Sequence, residues 1–347
     1  MEKGLYAVIM AGGRGERFWP AGRIHRPKQL LSLQEGGRTM VEETVQRLFP
    51  LIPSEHIFVM TNDSYVEQMR EVLPIPNENV IGEPVGRDTA PCVALATALI
   101  SRVNRNAIII FLPADHFVRP AKVFQETLQL GAKKAEAGSI VTVGVMPNYP
   151  ATGYGYLHLG DRDKAGFYDV KEFIEKPKSS HAIDFLLNGN YRWNSGIFIW
   201  SISTIRNAFQ KHMPQLSCKL EKWANGSDYR NDFAECQKIS IDYAIMEKTK
   251  GVVAMDAPFS WNDIGTWSSF RSVLPLDEDG NAIRGNFLAL EASNNVLLND
   301  DPDTLIGVIG LHDIAVVKSG NGILVCPFTQ EQKIRELVKK MNTTKWM

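Results

Sequence analysis

The sequence predicts an α/β fold with a largely parallel sheet, followed by a smaller β-rich region. Over the first 145 residues, short apolar runs alternate with amphipathic stretches, the pattern that βαβ units produce. After residue 277 the pattern changes to short β-prone pieces separated by Gly, Asn and Asp. We therefore expect two domains, residues 1–277 and residues 278–347.

The predicted strands of the first domain are rich in Ile and Val and lack polar alternation, as expected when both faces are buried. Asp88 or Thr89 can cap the third predicted helix, and Pro91 fits its first turn, where a missing N–H is tolerated. The strands cover residues 5–10, 57–61, 107–112 and 139–145, and the helices between them cover 40–49, 64–73, 90–102 and 122–137.

The rest of the chain is less regular. Residues 168–175 and 191–200 are predicted strands, and several helices are expected between 202 and 247, including 241–247. The C-terminal pieces are predicted strands at 287–290, 305–309, 314–318 and 322–327, and a terminal amphipathic helix at 330–341. This arrangement indicates a small β-rich appendage.

Charge and composition limit the partners. A net charge of −1 and a pI near 6.7 give no basic field for nucleic acid or an anionic membrane, so we expect neither as a partner. The N-terminus lacks signal-peptide features and no apolar run approaches a membrane span, so we expect a cytoplasmic protein. The cysteines lack metal-binding spacing and are expected to be reduced thiols: Cys92, Cys218, Cys236 and Cys326.

A glycine-rich loop, Ala-Gly-Gly-Arg-Gly-Glu-Arg at residues 11–17, follows the first strand. Its glycines let the backbone turn sharply and point N–H groups at phosphate oxygens. Arg17 and Lys28 can add charge-assisted contacts to a polyphosphate. The alternative is a tight structural connection. The residues predicted to approach the phosphates through their backbone are Ala11, Gly12, Gly13 and Gly15.

Two familiar phosphate motifs are absent, because the loop matches neither the Walker pattern nor G-x-G-x-x-G. What remains is G-G-x-G-x-R, then Pro20, then Pro27-Lys28. This pattern resembles the signature loop of sugar nucleotidyltransferases, and the flanking F-W-P and R-P-K-Q are like the mannose-1-phosphate guanylyltransferase branch. Glu16 stands where many relatives carry Thr, and we assign it no phosphate contact.

The resemblance implies a Rossmann-like nucleotidyltransferase domain with a mixed, mostly parallel sheet. It further implies that the C-terminal region is a left-handed β-helix-like domain, which often contributes to dimer contacts in this family. We therefore expect a homodimer. The resemblance covers about residues 5 to 330.

Two acidic residues far apart in the sequence are candidate metal ligands. Asp115 follows a buried strand, and Asp263 lies in the turn W-N-D-I-G-T-W. Either residue alone could simply cap a helix or a turn. Both segments resemble the family's metal-binding segments, which implies Mg²⁺ or another divalent cation held by one or two carboxylates and by substrate phosphates. His116 is expected to be structural, because Mg²⁺ prefers oxygen ligands.

The segment at residues 82–91 joins a strand to a helix and resembles the family's base-recognition loop. Guanine offers N1–H and N2–H₂ as donors, which a carboxylate of Glu83 or Asp88 can accept. A helix-capping loop is the alternative, and for Asp88 and Thr89 capping is compatible with binding. Relatives often carry Asn at the position of Asp88. The resemblance assigns Glu83, Arg87, Asp88 and Thr89 to the nucleotide.

Three further segments resemble the family's sugar-binding segments. Glu175 and Lys176 precede Pro177, which ends the strand and lets both side chains turn toward one cleft. A solvated surface pair is the alternative. The resemblance implies Glu175 and Asn194 on sugar hydroxyls, Lys176 on the sugar phosphate, and Gly153 close to the sugar.

The implied reaction is transfer of GMP from GTP to mannose 1-phosphate, giving GDP-mannose and pyrophosphate. The attacking phosphate is already an anion, so neither a general base nor a covalent intermediate is required, and Arg17, Lys28 and Lys176 are the expected catalytic cations. The alternatives are the same fold acting on another nucleotide or on glucose or heptose 1-phosphate, and a non-catalytic regulatory subunit. A regulatory subunit need not keep this set of residues.

Overall fold

The computed structural model describes residues 4–13, 15–32, 37–341 and 346. These residues form two compact units. The first unit comprises the described residues up to 12 together with 45–114 and 118–261, and the second comprises those in 13–44, 115–117 and 262–347. The domain boundary expected after residue 277 stays a prediction.

The first unit contains a nine-stranded sheet with the strand order β3-β2-β1-β4-β9-β6-β10-β8-β7. The strands in this part of the chain are β1 (Leu5–Ala11), β2 (Ile57–Asn62), β3 (Val80–Glu83), β4 (Ile108–Pro113), β5 (Phe117–Arg119), β6 (Ile140–Val145), β7 (Tyr156–Arg162), β8 (Tyr168–Ile174), β9 (Tyr191–Ser201), β10 (Val252–Asp256) and β11 (Ser260–Asn262). β5 and β11 lie outside the nine-stranded sheet.

The sheet is mixed. Strands β3, β2, β1 and β4 pair in parallel, and so do β6 and β10. The long strand β9 runs antiparallel to both β4 and β6, and β7 and β8 are antiparallel to their neighbours. The expected fold class is confirmed, and the four strands predicted in the first 145 residues are present.

Nine α-helices accompany these strands in the described part of the chain. Eight of them are α1 (Met40–Leu48), α2 (Val66–Val72), α3 (Thr89–Val103), α4 (Ala121–Glu136), α5 (Ser179–Asn188), α6 (Ile202–His212), α7 (Pro214–Ala224) and α8 (Arg230–Ala234). The ninth, α9 (Ile334–Lys339), follows a 3₁₀ segment at Phe328–Lys333, so the predicted terminal helix is divided. The segment Asp242–Met246 forms a π-helical turn.

The core of the first unit is packed against α3, in which 11 of the 15 residues are buried. Its many alanines let the helix approach the sheet closely, where Phe111 and Trp200 meet with ring centroids 5.2 Å apart. Burial of such large apolar side chains is the main favourable term in folding. No helix among the described residues is long and apolar enough to cross a membrane.

The second unit stacks short strands in parallel. Strands β12, β14 and β16 pair in parallel, β17 closes this sheet antiparallel to β16, and β13 and β15 form a separate parallel pair. Phe18 and Trp267 pack into the same core as Leu298, Val317 and Leu324. The strands are β12 (Ala282–Arg284), β13 (Phe287–Leu290), β14 (Val296–Asn299), β15 (Ile306–Ile309), β16 (Ile314–Ser319) and β17 (Gly322–Pro327).

Candidate functional site

The ends of β1 and β4 lie side by side in the first unit. Met10 is paired with Pro113 in a parallel register, and the backbone N–H of Ala114 donates to the carbonyl of Met10 at 3.0 Å. The glycine-rich loop and Asp115 therefore leave the sheet at its carboxyl edge, where ligands bind in α/β proteins. The two segments therefore begin at the same edge of the sheet.

The glycines of the loop have different structural requirements. Gly15 adopts φ 68°, and a Cβ there would lie 2.5 Å from the backbone nitrogen of Lys28, so a larger residue is excluded. A Cβ on Gly13 would meet no described atom within 4 Å. Gly15 is thus required by packing, whereas Gly13 leaves open space beside the backbone, as a bound ligand needs. Arg14 lies outside the described residues.

A cavity of about 240 Å³ in the second unit gathers the residues predicted to bind phosphate and metal. It also includes Glu16, for which no phosphate contact is predicted, and Arg335 from the C-terminal helix, which was not predicted as a site residue. The described residues that line it are Gly13, Gly15, Glu16, Arg17, Phe18, Lys28, Gln29, Asp115, His116, Asp263, Gly265 and Arg335.

Lys28 connects the two candidate metal ligands. Its buried ammonium group donates to Oδ2 of Asp115 at 2.7 Å and to the backbone carbonyl of Asp263 at 2.7 Å. The same ammonium group lies 5.3 Å from the ring centroid of Phe18. Lys28 is predicted to lie beside phosphate. In the structure its ammonium group contacts both acidic segments and so links them at one cavity.

Asp115 is held in its ionised form. Partial burial works against the charge, but the cations Lys28 and His116 outweigh it and lower the pKa of Asp115 below its ordinary value. A carboxylate that stays charged at neutral pH is a suitable ligand for a hard divalent cation.

Asp263 lies in a tight turn. Its Oδ1 accepts the backbone N–H of Gly265 at 3.0 Å, and the following residue, Ile264, adopts φ 42°. A β-branched residue in the left-handed region is strained, and such strain is often found at ligand sites. Asn262 accepts the N–H of Ile264 at 2.7 Å and supports the turn.

The donor set fits a partly hydrated magnesium ion. No group of three or more His, Cys, Asp or Glu side chains forms a metal cage among the described residues. Asp115 and Asp263 line one cavity together with the residues predicted to bind phosphate. Mg²⁺ commonly takes one or two carboxylates and fills its other positions with water and substrate phosphate.

Arg17 carries an unused donor. Its Nε is buried and has no hydrogen-bond partner among the described residues. Burial and, second, the charge of Arg335 lower the pKa of Arg17, while Asp263 and Glu331 act in the opposite direction. A buried N–H without a partner calls for an acceptor, and a phosphate oxygen would supply one.

The predicted base-recognition loop lies in the first unit, where Glu83 ends β3. Glu83 is buried, and burial followed by the charge of Asp88 raises its pKa to about 7, although a hydrogen bond with Cys92 acts against the rise. A Cβ on Gly12 would lie 3.9 Å from Oε2 of Glu83. The carboxyl group of Glu83 therefore lies close to the start of the glycine-rich loop.

Arg87, Asp88 and Thr89, which follow Glu83 in this loop, make hydrogen bonds that stabilise the loop conformation. Asp88 adopts φ 66° and caps α3, accepting the N–H of Thr89 at 2.8 Å. Thr89 Oγ1 accepts the N–H of Ile241 at 2.8 Å, and Arg87 donates to the carbonyl of Ala234. The capping alternative is thus observed for Asp88, and the role of Glu83 and Asp88 toward a base stays a prediction.

The residues predicted to bind the sugar come together in pairs. Lys176 adopts φ 47° just after β8 and donates to Oε1 of Glu175. Gly155 lies between the two segments, because its carbonyl accepts the N–H of Asn194 at 2.8 Å and a Cβ on it would lie 2.6 Å from Oε2 of Glu175. A Cβ on Gly153 would meet no described atom within 4 Å.

Asp242 joins this group and was not predicted. Its Oδ1 accepts a hydrogen bond from Nδ2 of Asn194 at 3.2 Å. Burial and then the charge of Glu175 raise the pKa of Asp242 to about 7, while Lys176 acts against the rise. The residue begins the π-helical turn, a feature that is frequent at functional sites.

Comparisons with known proteins give the family. A model described as "Nucleotidyl transferase" matches residues 6–280, and one described as "MannoseP isomerase/GMP-like beta-helix domain" matches residues 285–341. A relative from Vibrio cholerae is 37% identical over 96% of this chain and 74% of its own length. The mannose-1-phosphate guanylyltransferase of Klebsiella pneumoniae is 36% identical over 96% of this chain and 73% of its own length.

The chain belongs to the mannose-1-phosphate guanylyltransferase family of nucleotidyl transferases. A solved structure from Thermus thermophilus, described as a "mannose-1-phosphate geranyltransferase", has a TM-score of 0.90 to it at 33% identity. The match covers 98% of this chain and 99% of that one. The structural similarity therefore extends through both the nucleotidyl transferase part and the β-rich part.

Two residues near the candidate site of this guanylyltransferase-family chain, Asp242 and Arg335, were not predicted from the sequence. Asp242 follows Ser240-Ile241 at the start of a mostly apolar stretch, where an acid is usually read as the start of a helix. Arg335 lies on an amphipathic helix rich in exposed charges. Neither has a local sequence signal that distinguishes it from a solvated surface residue.

Proposed function

We propose that the protein transfers GMP from GTP to mannose 1-phosphate, releasing GDP-mannose and pyrophosphate. The observation that carries the proposal is the cavity in which Arg17, Lys28, Asp115 and Asp263 meet. Membership of the guanylyltransferase family supports the choice of substrates. A cavity that combines cations with carboxylates suits a metal-bound triphosphate better than a free anion.

Asp115 and Asp263 are proposed to hold Mg²⁺ or another divalent cation. When bound, the ion would neutralise part of the phosphate charge. Lys28 helps to position both candidate ligands, because it contacts the carboxylate of Asp115 and the backbone of Asp263. Loss of Lys28 would therefore disturb both candidate ligands at once.

The remaining phosphate contacts are assigned to Arg17, Lys28 and the loop backbone at Ala11, Gly12, Gly13 and Gly15. The attacking phosphate oxygen needs no general base, because it is already an anion near neutral pH. The protein has to bring two polyanions together and align them, and orientation of this kind can supply about 7–11 kcal/mol.

The sugar phosphate is assigned to Lys176, and the sugar hydroxyls to Glu175 and Asn194, with Gly153 leaving room for the ring. The side chain of Lys176 is 60% exposed, so it can exchange Glu175 for a phosphate group without a large desolvation change. Asn194 is held by Thr142 and Asp242, whose hydroxyl and carboxylate fix its amide orientation.

The base is assigned to Glu83, whose ionised carboxylate can accept N1–H and N2–H₂ of guanine together. Arg87, Asp88 and Thr89 are assigned to the same nucleotide site through the loop conformation that they stabilise.

A homodimer in the cytoplasm completes the proposal. Exposed apolar side chains on the paired strands β13 and β15, namely Leu288, Leu290 and Ile309, support a protein–protein contact. Sedimentation would test the dimer, and cell fractionation would test the location.

The direct test of the reaction is a pyrophosphate-release assay. It crosses four nucleoside triphosphates with mannose, glucose and heptose 1-phosphates. We expect the highest kcat/KM for GTP with mannose 1-phosphate. Preference for another sugar or base would overturn the substrate assignment but keep the enzyme class, and no turnover with any pair would favour a regulatory subunit.

A further inference from the structure

The C-terminal helix α9 contributes a cation to the cavity of the second unit that gathers the residues predicted to bind phosphate and metal. Arg335 lines this cavity together with Arg17 and Lys28. Its side chain is exposed, and none of the hydrogen bonds or salt bridges among the described residues engages its guanidinium group. Arg335 is therefore available to a ligand in the cavity.

Two anchors fix the position of α9 within its unit. Just before the helix, the carboxylate of Glu331 accepts the backbone N–H of Ser268 at 3.0 Å and its hydroxyl at 2.7 Å. Ile334 is buried in the cluster that includes Phe18 and Trp267. Because Phe18 directly follows Arg17, this packing holds Arg335 at a defined place beside the glycine-rich loop.

The charges in the cavity favour an anion near the two arginines. Lys28 already has Asp115 as its ion-pair partner. Arg17, in contrast, has a buried Nε with no partner among the described residues, and burial and then the nearby charge of Arg335 lower its pKa. Asp263 and Glu331 act against this effect. An anion shared by the two neighbouring guanidinium groups would further offset their mutual repulsion.

We propose that Arg335, together with Arg17, binds the phosphate groups that leave as pyrophosphate. This deepens the proposed function and rests on it. The α-phosphate has to reach the acidic side of the cavity, where Lys28 contacts Asp115 and Asp263. The terminal phosphates are then left to the arginine pair, and a guanidinium group binds phosphate through two parallel N–H donors.

The test compares Arg335→Ala with the wild-type protein in calorimetric binding of pyrophosphate, GTP and GMP. We expect the Kd of pyrophosphate and of GTP to rise roughly tenfold or more, since a charge-assisted contact is lost. Binding of GMP should not change, because it lacks the terminal phosphates. Arg335→Lys should recover part of the affinity, and the KM of pyrophosphate in the reverse reaction should follow the same order.

Lys339→Ala is the matched control. It removes another exposed cation from the same helix, but Lys339 does not line the cavity. We expect it to bind pyrophosphate like the wild type. Thermal unfolding should show that both variants are folded, as expected for exposed side chains.

Three outcomes would overturn the inference: wild-type pyrophosphate binding by Arg335→Ala, an equal loss of GMP and GTP binding, or the same loss in Lys339→Ala. Failure of the proposed function would look different. It would appear as a wild-type protein that makes no GDP-mannose, whereas pyrophosphate binding requires neither the sugar nor the base.

Discussion

The ammonium group of Lys28 lies 2.7 Å from Oδ2 of Asp115 and 2.7 Å from the backbone carbonyl of Asp263. One buried cation thus joins residues that lie 87 and 235 positions away in the sequence. The two contacts differ, because one uses a carboxylate and the other a peptide group. Side-chain replacement at Asp115 therefore removes a contact of Lys28, whereas side-chain replacement at Asp263 leaves its contact in place.

Lys28→Met should destabilise the fold by about 1–3 kcal/mol, because a charge-assisted hydrogen bond is lost and Asp115 keeps an unpaired charge. Lys28 lowers the pKa of Asp115 in the folded state. The ion pair therefore contributes its full stability above the ordinary Asp pKa of about 3.9. This stability is lost as the pH falls through the lower pKa of the folded state. Urea unfolding should show a larger difference at pH 7 than at pH 3. A difference independent of pH would contradict the ion-pair explanation.

Asp263→Asn should lower kcat/KM at least a hundredfold, on the order expected when a metal loses one of its charged ligands. The fold should persist, because Lys28 contacts the backbone of this residue rather than its carboxylate. The measurement is pyrophosphate release as a function of Mg²⁺ concentration. Asp115→Asn should lose activity similarly but also some stability, whereas the exposed control Asp161→Asn should match the wild type in both assays.

Lys176→Ala should raise the KM for mannose 1-phosphate roughly tenfold or more, because one charge-assisted phosphate contact is removed. Lys176 itself is largely exposed, but its partner Glu175 has a side chain that is only 9% exposed and would keep an unpaired charge, so a small loss of stability is expected. Steady-state kinetics with each substrate varied in turn is the measurement. Lys178→Ala, a nearby exposed cation, is the control, and an unchanged KM and kcat in Lys176→Ala would remove this lysine from the site.

Glu83 should give guanine recognition a pH dependence. Its pKa is raised to about 7, so the carboxylate that accepts both guanine donors forms as the pH rises through 7. The ratio of kcat/KM for GTP to that for ITP, which lacks the N2 amino group, should therefore increase between pH 6 and 8. In Glu83→Gln this ratio should be lower and should not change with pH. A wild-type ratio that does not change with pH would exclude Glu83 from the base contact.

Asp242→Asn should stabilise the protein at alkaline pH. Burial raises the pKa of Asp242 to about 7, so the folded state binds the proton more tightly than the unfolded state, and stability falls as the pH rises from about 4 to 7. Asparagine removes this penalty, on the order of 1–3 kcal/mol. Unfolding at pH 5 and pH 8 should show the gain chiefly at pH 8, and a variant less stable than the wild type at pH 8 would contradict it. Because Asp242 orients Asn194, the KM for the sugar phosphate should rise as well.

The predicted parallel strands are close to those observed, because continuous apolar runs rich in Ile and Val have few alternatives to burial in a sheet. Strands β7 and β10 were not predicted. β7 ends in Gly-Asp-Arg and alternates only weakly, and its strand conformation depends on pairing with β8 and β9. Such pairings are set by partners distant in sequence, which no local window contains.

The sequence by itself determined the glycine-rich loop, the two acidic segments, the E-K-P segment and the family that they resemble. These features are local, since a backbone turn, a strand end or a proline break is set by neighbouring residues. Tertiary structure alone decided that Lys28 bridges Asp115 and Asp263, that Asp242 accepts a hydrogen bond from Asn194, and that Arg335 lines the same cavity as Arg17 and Lys28. Burial and charge pairing depend on residues that only folding brings together, and they give these side chains their chemistry.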